Sequence, residues 1–296
     1  MLNLPTMQNP LIVTGKPLEK LITLVGQAIG TVYEPRKIRR KAEADAYRIE
    51  KIAEAKAKGL LITSSAELTV AERAHNRMMM QQIDSQINIE NIIDKTGAQL
   101  AGSANSDEVD HDWANRFFTK AQEVSNEELQ EIWAKILATE VSTPGAISLR
   151  TLNLLSDLTA QEGQIFQVFC SLSFDHDGIY HPIGGEIYQE YGLNYAGLQK
   201  LRSAGLVHAS DTLIMKFSYD AEHQGWVIIW DRKAYVMSNG TEKDISLNLL
   251  ALTTEGEELM NLIKTPKNAA YFLAFQQNLF QNRKITTTEV ASKSKP

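Results

Sequence analysis

Residues 107–172 read DEVDHDWANRFFTKAQEVSNEELQEIWAKILATEVSTPGAISLRTLNLLSDLTAQEGQIFQVFCSL, and this stretch decides the fold predicted for the chain. Apolar side chains recur along it every three or four positions, the spacing of one face of an α-helix. Pro144 and Gly145 interrupt the pattern, and Ser125–Glu128 and Thr159–Glu162 have the spacing of helix-starting capping boxes. The pattern predicts four short helices that bury their apolar faces on each other as a central helical core. The residues expected to face inward are Val109, Trp113, Phe117, Phe118, Ala121, Leu129, Ile132, Trp133, Ile136, Leu137, Leu149, Leu152, Leu155, Leu158, Ile165, Phe166, Phe169 and Leu172.

Before this core, the sequence predicts a flexible N-terminus over residues 1–16 and an N-terminal helical hairpin over residues 17–100. Pro17 suits a helix start, and the run after it alternates apolar and polar positions at helical spacing. A charged helix with a thin alanine and isoleucine stripe is expected over 36–58, which favours a hairpin or self-association. A further capping box, Ser64–Glu67, predicts a long helix that ends near Gln99. Met78, Met79 and Met80 on it are interpreted as filling gaps between helices.

The sequence pattern changes after the core. From the pattern of residues 173–265 we predict a winged-helix-like α+β domain. Residues 173–185 are turn-rich, and short helices are expected over 186–191 and, capped by Asn194, over 196–205. Strands are expected over 213–219, 225–230, 233–237 and 245–252. Thr254 and Glu257 then resemble a capping box before a closing helix. Residues 266–296 predict a C-terminal helix over 269–280 and a disordered polar tail.

Composition limits the classes of function. Hydrophobic residues make up 43% of the chain and charged residues 22%, which is typical of a globular protein, and the net charge is −6. One cysteine, Cys170, lies in an apolar run, so neither an internal disulfide nor a thiolate metal cage is expected. The N-terminus lacks the pattern of a signal peptide, which predicts a cytoplasmic protein. No 20-residue apolar span is present.

The sequence predicts no enzyme, no cofactor and no metal site. The histidines form no zinc-protease pattern, and neither a phosphate-binding glycine loop nor a nucleophile elbow occurs. A polar loop holds the best metal candidates, Asp175, His176, Asp177 and His181, but their spacing is not specific to a metal. Asp110, His111 and Asp112 open a helix, where carboxylates favour the positive end of its dipole.

Two groups of basic residues are candidate binding sites. The first follows an apolar helical stripe within residues 18–41, a combination that suits an anionic membrane surface, a nucleic-acid phosphate or a solvated helix face. It consists of Arg36, Lys37, Arg39, Arg40 and Lys41. The second is Lys200, Arg202 and His208, on and after the helix that would read DNA or a protein partner in a winged helix. Residues 147–265 hold eight cations and fifteen acids, which disfavours DNA, because duplex binding relies on cations that neutralise phosphates.

Several motifs resemble a bacterial family known only as a domain of unknown function, over roughly residues 15–170. They are GKPLEKLI (15–22), IGxxYEPxxIRRKA (29–42), DWxxRFF (112–118), EELQxIWAKILA (127–138), Pro144–Gly145 and SLRTL (148–152). More distantly, the succession of helices and capping boxes is similar to the abortive-infection alpha (Abi-alpha) proteins. The resemblance implies a context of anti-phage defence or mobile elements, and it implies no catalytic residues.

These observations together predict a mainly α-helical, non-enzymatic interaction or scaffold protein of bacterial phage defence or a mobile element. It is expected to bind a protein partner and to form homo-oligomers through residues 18–95. One alternative is a winged-helix transcriptional regulator that touches DNA with Lys200 and Arg202. A second is an effector on the membrane surface, peripheral to the inner membrane, that acts through residues 18–41.

Overall fold

The computed structural model describes residues 16–29, 70–100, 107–175, 178–181, 186–210, 213–239 and 244–290. The predicted helix over 36–58 and the Ser64–Glu67 capping box lie outside these ranges. The chain divides into two units, residues 1–149 and 150–296. Helices dominate the described part of the chain, and small antiparallel sheets follow in the second unit, as the sequence predicts.

The described part of the first unit is built from helices. They are α1 (Lys16–Ile29), α2 (Val70–Gln99), α3 (His111–Ala121) and α4 (Glu127–Ser142), and α5 (Leu149–Asp157) begins at its last residue. α2 packs on α4, and α1 packs on α3 and α4. The end of α2 at Gln99 agrees with the prediction.

Aromatic rings form the centre of the first unit. The rings of Trp113 and Phe117 stack with centroids 5.2 Å apart, and the centroids of Phe117 and Trp133 lie 5.3 Å apart. All three side chains are buried, which confirms the predicted packing of α3 and α4. The prediction was wrong for Leu129, which is 39% exposed. Its neighbour Gln130 is buried instead, because its amide donates to the Val124 carbonyl oxygen at 2.8 Å.

The helix caps show how local chemistry sets the helix starts. Thr159 and Glu162 form the predicted capping box, with both of its hydrogen bonds present. The start of α4 is displaced by one residue from the prediction, because Asn126 rather than Ser125 accepts from the Leu129 amide, at 3.0 Å. Asparagine caps a helix as well as serine does, so the two neighbours compete and the geometry of the preceding turn decides.

The second unit contains both helices and strands. After α5 come α6 (Ala160–Leu172), β1 (Gly178–His181), a 3₁₀ helix (Ile187–Tyr191), α7 (Tyr195–Ser203), β2 (Ile214–Ser218), β3 (Trp226–Trp230), β4 (Lys233–Ser238), β5 (Asp244–Ala251), α8 (Thr254–Ile263), α9 (Ala269–Arg283) and β6 (Thr286–Glu289). The segment that the sequence treats as one core, 107–172, thus contributes α3 and α4 to the first unit and α6 to the second.

The strands form two three-stranded antiparallel sheets, with the orders β1-β5-β2 and β3-β4-β6. The four predicted strands are present as β2, β3, β4 and β5. Two strands were missed: β1 lies where a turn-rich segment is predicted, and β6 lies in the predicted disordered tail. β1 is only four residues long and pairs with β5, and β6 pairs with β4 through a run of threonines. Strands this short are stabilised by their partners more than by their own sequence pattern.

The start of α8 also differs from the prediction. Its N-cap is Thr253, whose hydroxyl accepts from the Gly256 amide at 3.1 Å and donates to the Gly205 carbonyl oxygen at 2.6 Å. Gly256 therefore holds the position where a capping box has its glutamate. A Cβ atom there would lie 2.1 Å from the Leu206 carbonyl oxygen, so this close approach of two backbones excludes the box.

Candidate interaction site

α7 is held by its buried side while it presents its other side to solvent. Asn194 caps it by accepting from the Gly197 amide at 2.8 Å, and Gly192 ends the preceding 3₁₀ helix with a φ of 96°. Leu198 and Leu201 are buried beneath the helix. The exposed residues of α7 are Tyr195, Ala196, Lys200 and Ser203, which we call the α7 face.

Lys200, Arg202 and His208 differ in their exposure and in their contacts. Lys200 is exposed, and its ammonium donates to Gln161 Oε1 at 2.6 Å. Hydrogen bonds from Thr159 lower the pKa of Glu162, and the charge of Lys200 adds a smaller effect in the same direction. Arg202 is only partly exposed, and His208 is exposed at the strand side, where its amide donates to the Ala251 carbonyl oxygen.

A cavity of about 260 Å³ opens beside the start of α7. Its lining residues come from β1, the 3₁₀ helix and the residue before it, α7 and β5. They are His181, Glu186, Tyr188, Tyr195, Leu198 and Leu250, and we call this space the α7 cavity. The rings of His181 and Tyr188 meet edge to face with centroids 5.3 Å apart.

The interior and the rim of the α7 cavity differ in chemistry. His181, Tyr188, Leu198 and Leu250 are all buried, so the interior is mostly aromatic and aliphatic. Glu186 is exposed, and Tyr195 is 65% exposed, so the rim of the cavity carries a solvent-exposed carboxylate and a solvent-exposed phenol. An apolar interior with a few polar groups is typical of a binding pocket.

Of the four predicted metal candidates, the structure describes Asp175 and His181. Asp175 Oδ1 lies 3.5 Å from the ammonium of Lys267, and its Oδ2 accepts from the Arg232 amide at 2.6 Å. His176 and Asp177 lie outside the described residues, and the described residues contain no group of three histidine, cysteine or acidic side chains suited to a metal ion. Burial lowers the pKa of Lys267 from 10.5, although the charge of Asp175 opposes this shift. That ammonium also donates to the carbonyl oxygens of Cys170 and Ser173, so it holds the end of α6.

Cys170 has the environment of a structural thiol. It is 1% exposed, and burial raises its pKa from 9.0 to about 12, with Lys267 acting in the opposite direction. The thiolate is the reactive form of cysteine, so the neutral thiol here is unreactive at ordinary pH. The predicted burial of this residue is confirmed.

α2 is packed along only part of its length. Residues 88–100 include six buried side chains, whereas residues 70–87 include none. Val70, Met78 and Met79 are 73%, 60% and 51% exposed. We call residues 70–87 the exposed half of α2; at 1.5 Å per residue it is about 27 Å long.

The first predicted basic group, at residues 36–41, lies outside the described residues. The apolar stripe before it is described in part: Leu21, Leu24 and Val25 of α1 are at most 5% exposed. These side chains therefore face the core of the first unit. Among the described helices, none combines the length and the apolar character needed to cross a bilayer.

Sequence reasoning missed the α7 cavity. Two of its lining residues, His181 and Leu250, lie on paired strands, and the strand that carries His181 was not predicted. The available signal was the three tyrosines in IYQEYGLNY, residues 187–195, which follow soon after β1 in the chain. The sequence does not show that β1 pairs with β5. It therefore does not show on which side of those tyrosines the cavity lies.

Comparisons with known proteins give one match. A family described as "Protein of unknown function (DUF2806)" matches residues 72–181, from α2 to β1. No curated protein and no solved structure matches the chain. The family match supports the predicted similarity to an uncharacterised domain family.

Proposed function

We propose that this chain is a non-enzymatic interaction or scaffold protein that binds a protein partner through the α7 face. The observation that carries the proposal is the composition of this face. Its most exposed aromatic residue, Tyr195, stands beside the α7 cavity, while its one exposed cation, Lys200, donates to Gln161 of the same chain. Tyrosine is enriched among the residues that contribute most to protein interfaces.

The topology of the second unit supports a winged-helix-like arrangement for this site. A helix, a short strand, a short helix, a second helix and two further strands follow in chain order as α6, β1, the 3₁₀ helix, α7, β2 and β5. The sheet order β1-β5-β2 places the last strand in the middle. The long connection between β2 and β5, which contains β3 and β4, stands where a wing would be. Winged-helix-like folds serve many functions, so the function has to be argued from the residues of the site.

DNA binding by a transcriptional regulator is the alternative, and the charge distribution disfavours it. Residues 147–265 hold fifteen acids against eight cations. A duplex carries about one negative charge per 1.7 Å, and a protein binds it by neutralising phosphates. A face with one exposed cation, which is already hydrogen-bonded within the chain, contributes little to such binding.

The membrane-surface alternative requires an apolar helix face next to the basic cluster. The stripe on α1 is buried at Leu21, Leu24 and Val25, so these side chains do not face a lipid surface. We propose a cytoplasmic location and keep peripheral attachment to the inner membrane as the lesser alternative. Binding to anionic vesicles that is lost in Arg39→Glu with Arg40→Glu would reverse this order.

We further propose that the protein acts in bacterial anti-phage defence or belongs to a mobile element. This context rests on the similarity of the helix succession to the abortive-infection alpha proteins and on motifs such as EELQxIWAKILA at 127–138. We also propose that it forms homo-oligomers through the N-terminal helices, because the exposed half of α2 presents Met78 and Met79 to solvent.

The test compares partners captured during phage infection by the wild-type protein, by Tyr195→Ala and by Tyr219→Ala. Tyr219 is a matched control because it is 44% exposed and lies just after β2, outside the α7 face. We expect a specific partner to be lost with Tyr195→Ala and kept with Tyr219→Ala. Capture of the same proteins in equal amount by all three would contradict the proposed site.

A further inference from the structure

We infer that the α7 cavity binds a cationic side chain, an arginine or a lysine, that a protein partner inserts beside Tyr195. This inference rests on the proposed function and adds the chemistry that the partner presents. It concerns a site built by residues of β1, the 3₁₀ helix segment, α7 and β5.

The size of the cavity favours a single side chain over a larger ligand. Its volume is about 260 Å³. Pockets that enclose drug-sized ligands range over about 300–1,000 Å³, so this one is below that range. A long, narrow side chain with a polar end can enter such a space, with its methylene groups against Leu198 and Leu250.

The lining favours a cation over an anion. Among the described residues that line it, none is a lysine or an arginine, the side chains that bind phosphate or carboxylate groups. The carboxylate of Glu186 is at the rim, and although it accepts from Gln189 Nε2, a carboxylate has about four acceptor positions. The tyrosine rings add an electrostatic attraction, because the face of an aromatic ring is negative and attracts cations.

The charge of the surrounding residues also favours a cation. The net charge of residues 147–265 is −7, counting eight cations and fifteen acids. An acidic surface raises the local concentration of cationic groups and repels anionic ones. The same excess of acids that disfavours DNA therefore favours a partner with an exposed arginine or lysine.

The first experiment measures binding of small probes to the full-length protein by saturation-transfer NMR. The probes are N-acetyl-arginine amide, N-acetyl-lysine amide and, as the uncharged control of similar length, N-acetyl-norleucine amide. We expect saturable binding of at least one cationic probe and much weaker binding of the norleucine probe. Equal binding of all three probes, or no saturable binding of either cationic probe, would overturn the inference.

The second experiment locates the binding with Glu186→Gln and its control Glu190→Gln. Both glutamates are exposed, both changes remove one negative charge, and only Glu186 lines the cavity. We expect Glu186→Gln to weaken the cationic probe about fivefold, the upper range for an exposed ion pair, and Glu190→Gln to leave it nearly unchanged. Equal effects of the two variants would show that the probe senses only the general charge of the surface, and would overturn the site.

The two proposals fail in different ways. If the cationic probes do not bind but Tyr195→Ala still loses the captured partner, the α7 face remains the interaction site and the cavity chemistry is wrong. If the probes bind and Glu186→Gln weakens them but Tyr195→Ala loses no partner, the cavity is a cation site and the proposed partner surface is wrong.

Discussion

Glu140 is a buried carboxylate that holds the turn after α4. Its side chain belongs to a residue that is 1% exposed, and its two oxygens accept from the amides of Gly145 and Ile147 at 2.6 and 3.0 Å. The carbonyl oxygen of Ile147 in turn accepts from the indole of Trp113 at 2.8 Å. One acidic side chain therefore connects a helix, the turn that follows it and the aromatic centre of the first unit.

Replacing this carboxylate should destabilise the protein. In Glu140→Gln an amide NH₂ replaces one of the accepting oxygens, so one of the two backbone N–H groups, that of Gly145 or that of Ile147, loses its acceptor. The free energy of unfolding should fall by about 1–3 kcal/mol, the cost of an unsatisfied buried group. Urea unfolding measures this change, with the exposed Glu128→Gln as the matched control. Equal midpoints for Glu140→Gln and the wild type would show that the turn does not depend on the carboxylate.

Cys170 should make stability depend on pH in the alkaline range. Burial raises its pKa from 9.0 in the unfolded chain to about 12 in the folded protein. Its contribution is fully present below pH 9 and is lost as the pH rises from 9 toward 12, because only the unfolded state releases the proton there. The slope approaches about 1.4 kcal/mol per pH unit.

The variant Cys170→Ala isolates this contribution. It lowers stability at every pH by leaving a small cavity, so the informative quantity is the change between pH 8 and pH 10.5 and not the absolute value. We expect the free energy of unfolding of the wild type to decline more steeply over this range than that of Cys170→Ala. Parallel declines would mean that the thiol titrates normally in the folded protein.

At the scale of elements, α2 shows how one helix can serve two roles. Its second half buries Ile89, Ile92 and Ile93, while its first half carries no buried residue among 70–87. Packing of an apolar face supplies most of the stability of protein helices. The exposed half is thus the described element for which association with a second copy has the most to add.

Self-association through this half predicts a specific effect of charge. Met78→Glu and Met79→Glu, made singly, should shift the protein toward lower mass in light scattering after size-exclusion chromatography, because a carboxylate is costly to bury in an interface. Ala98→Glu is the control: it adds the same charge at an exposed position in the packed half. A wild type that is monomeric at all concentrations would end this proposal.

The strands show which elements cannot be predicted from the local sequence pattern. β5 has alternating buried residues, Ile245 and Leu247, and was predicted, whereas β1 is buried at all four positions and β6 is a threonine run that reads as polar tail. β6 pairs Glu289 with Tyr235, and its carboxylate lies 3.0 Å from the ammonium of Lys233. Such pairing is set by which strand is adjacent in space, which local sequence does not specify.

At the scale of the whole molecule, net charge distinguishes the two main hypotheses, a protein-binding scaffold and a DNA-binding regulator. The net charge is −6, and residues 147–265 are more acidic than the chain as a whole. We expect no saturable binding to a pool of labelled duplexes at physiological ionic strength, measured by fluorescence anisotropy. A regulator would bind at low salt, lose affinity steeply as salt is added, and lose it further in Lys200→Glu. That result would establish the regulator as the better interpretation.

The sequence by itself determined the class of fold, the helices and most of their ends, because helical spacing and capping depend on residues within a few positions of each other. Thr159 with Glu162, Asn194 and the end of α2 at Gln99 are examples. Only the tertiary structure decided which side chains meet across the sheet. The α7 cavity joins His181 and Leu250, which are far apart in the chain, and their meeting depends on the pairing of β1 with β5. Strand partners are selected by the packing of the whole unit, and no local pattern records that selection.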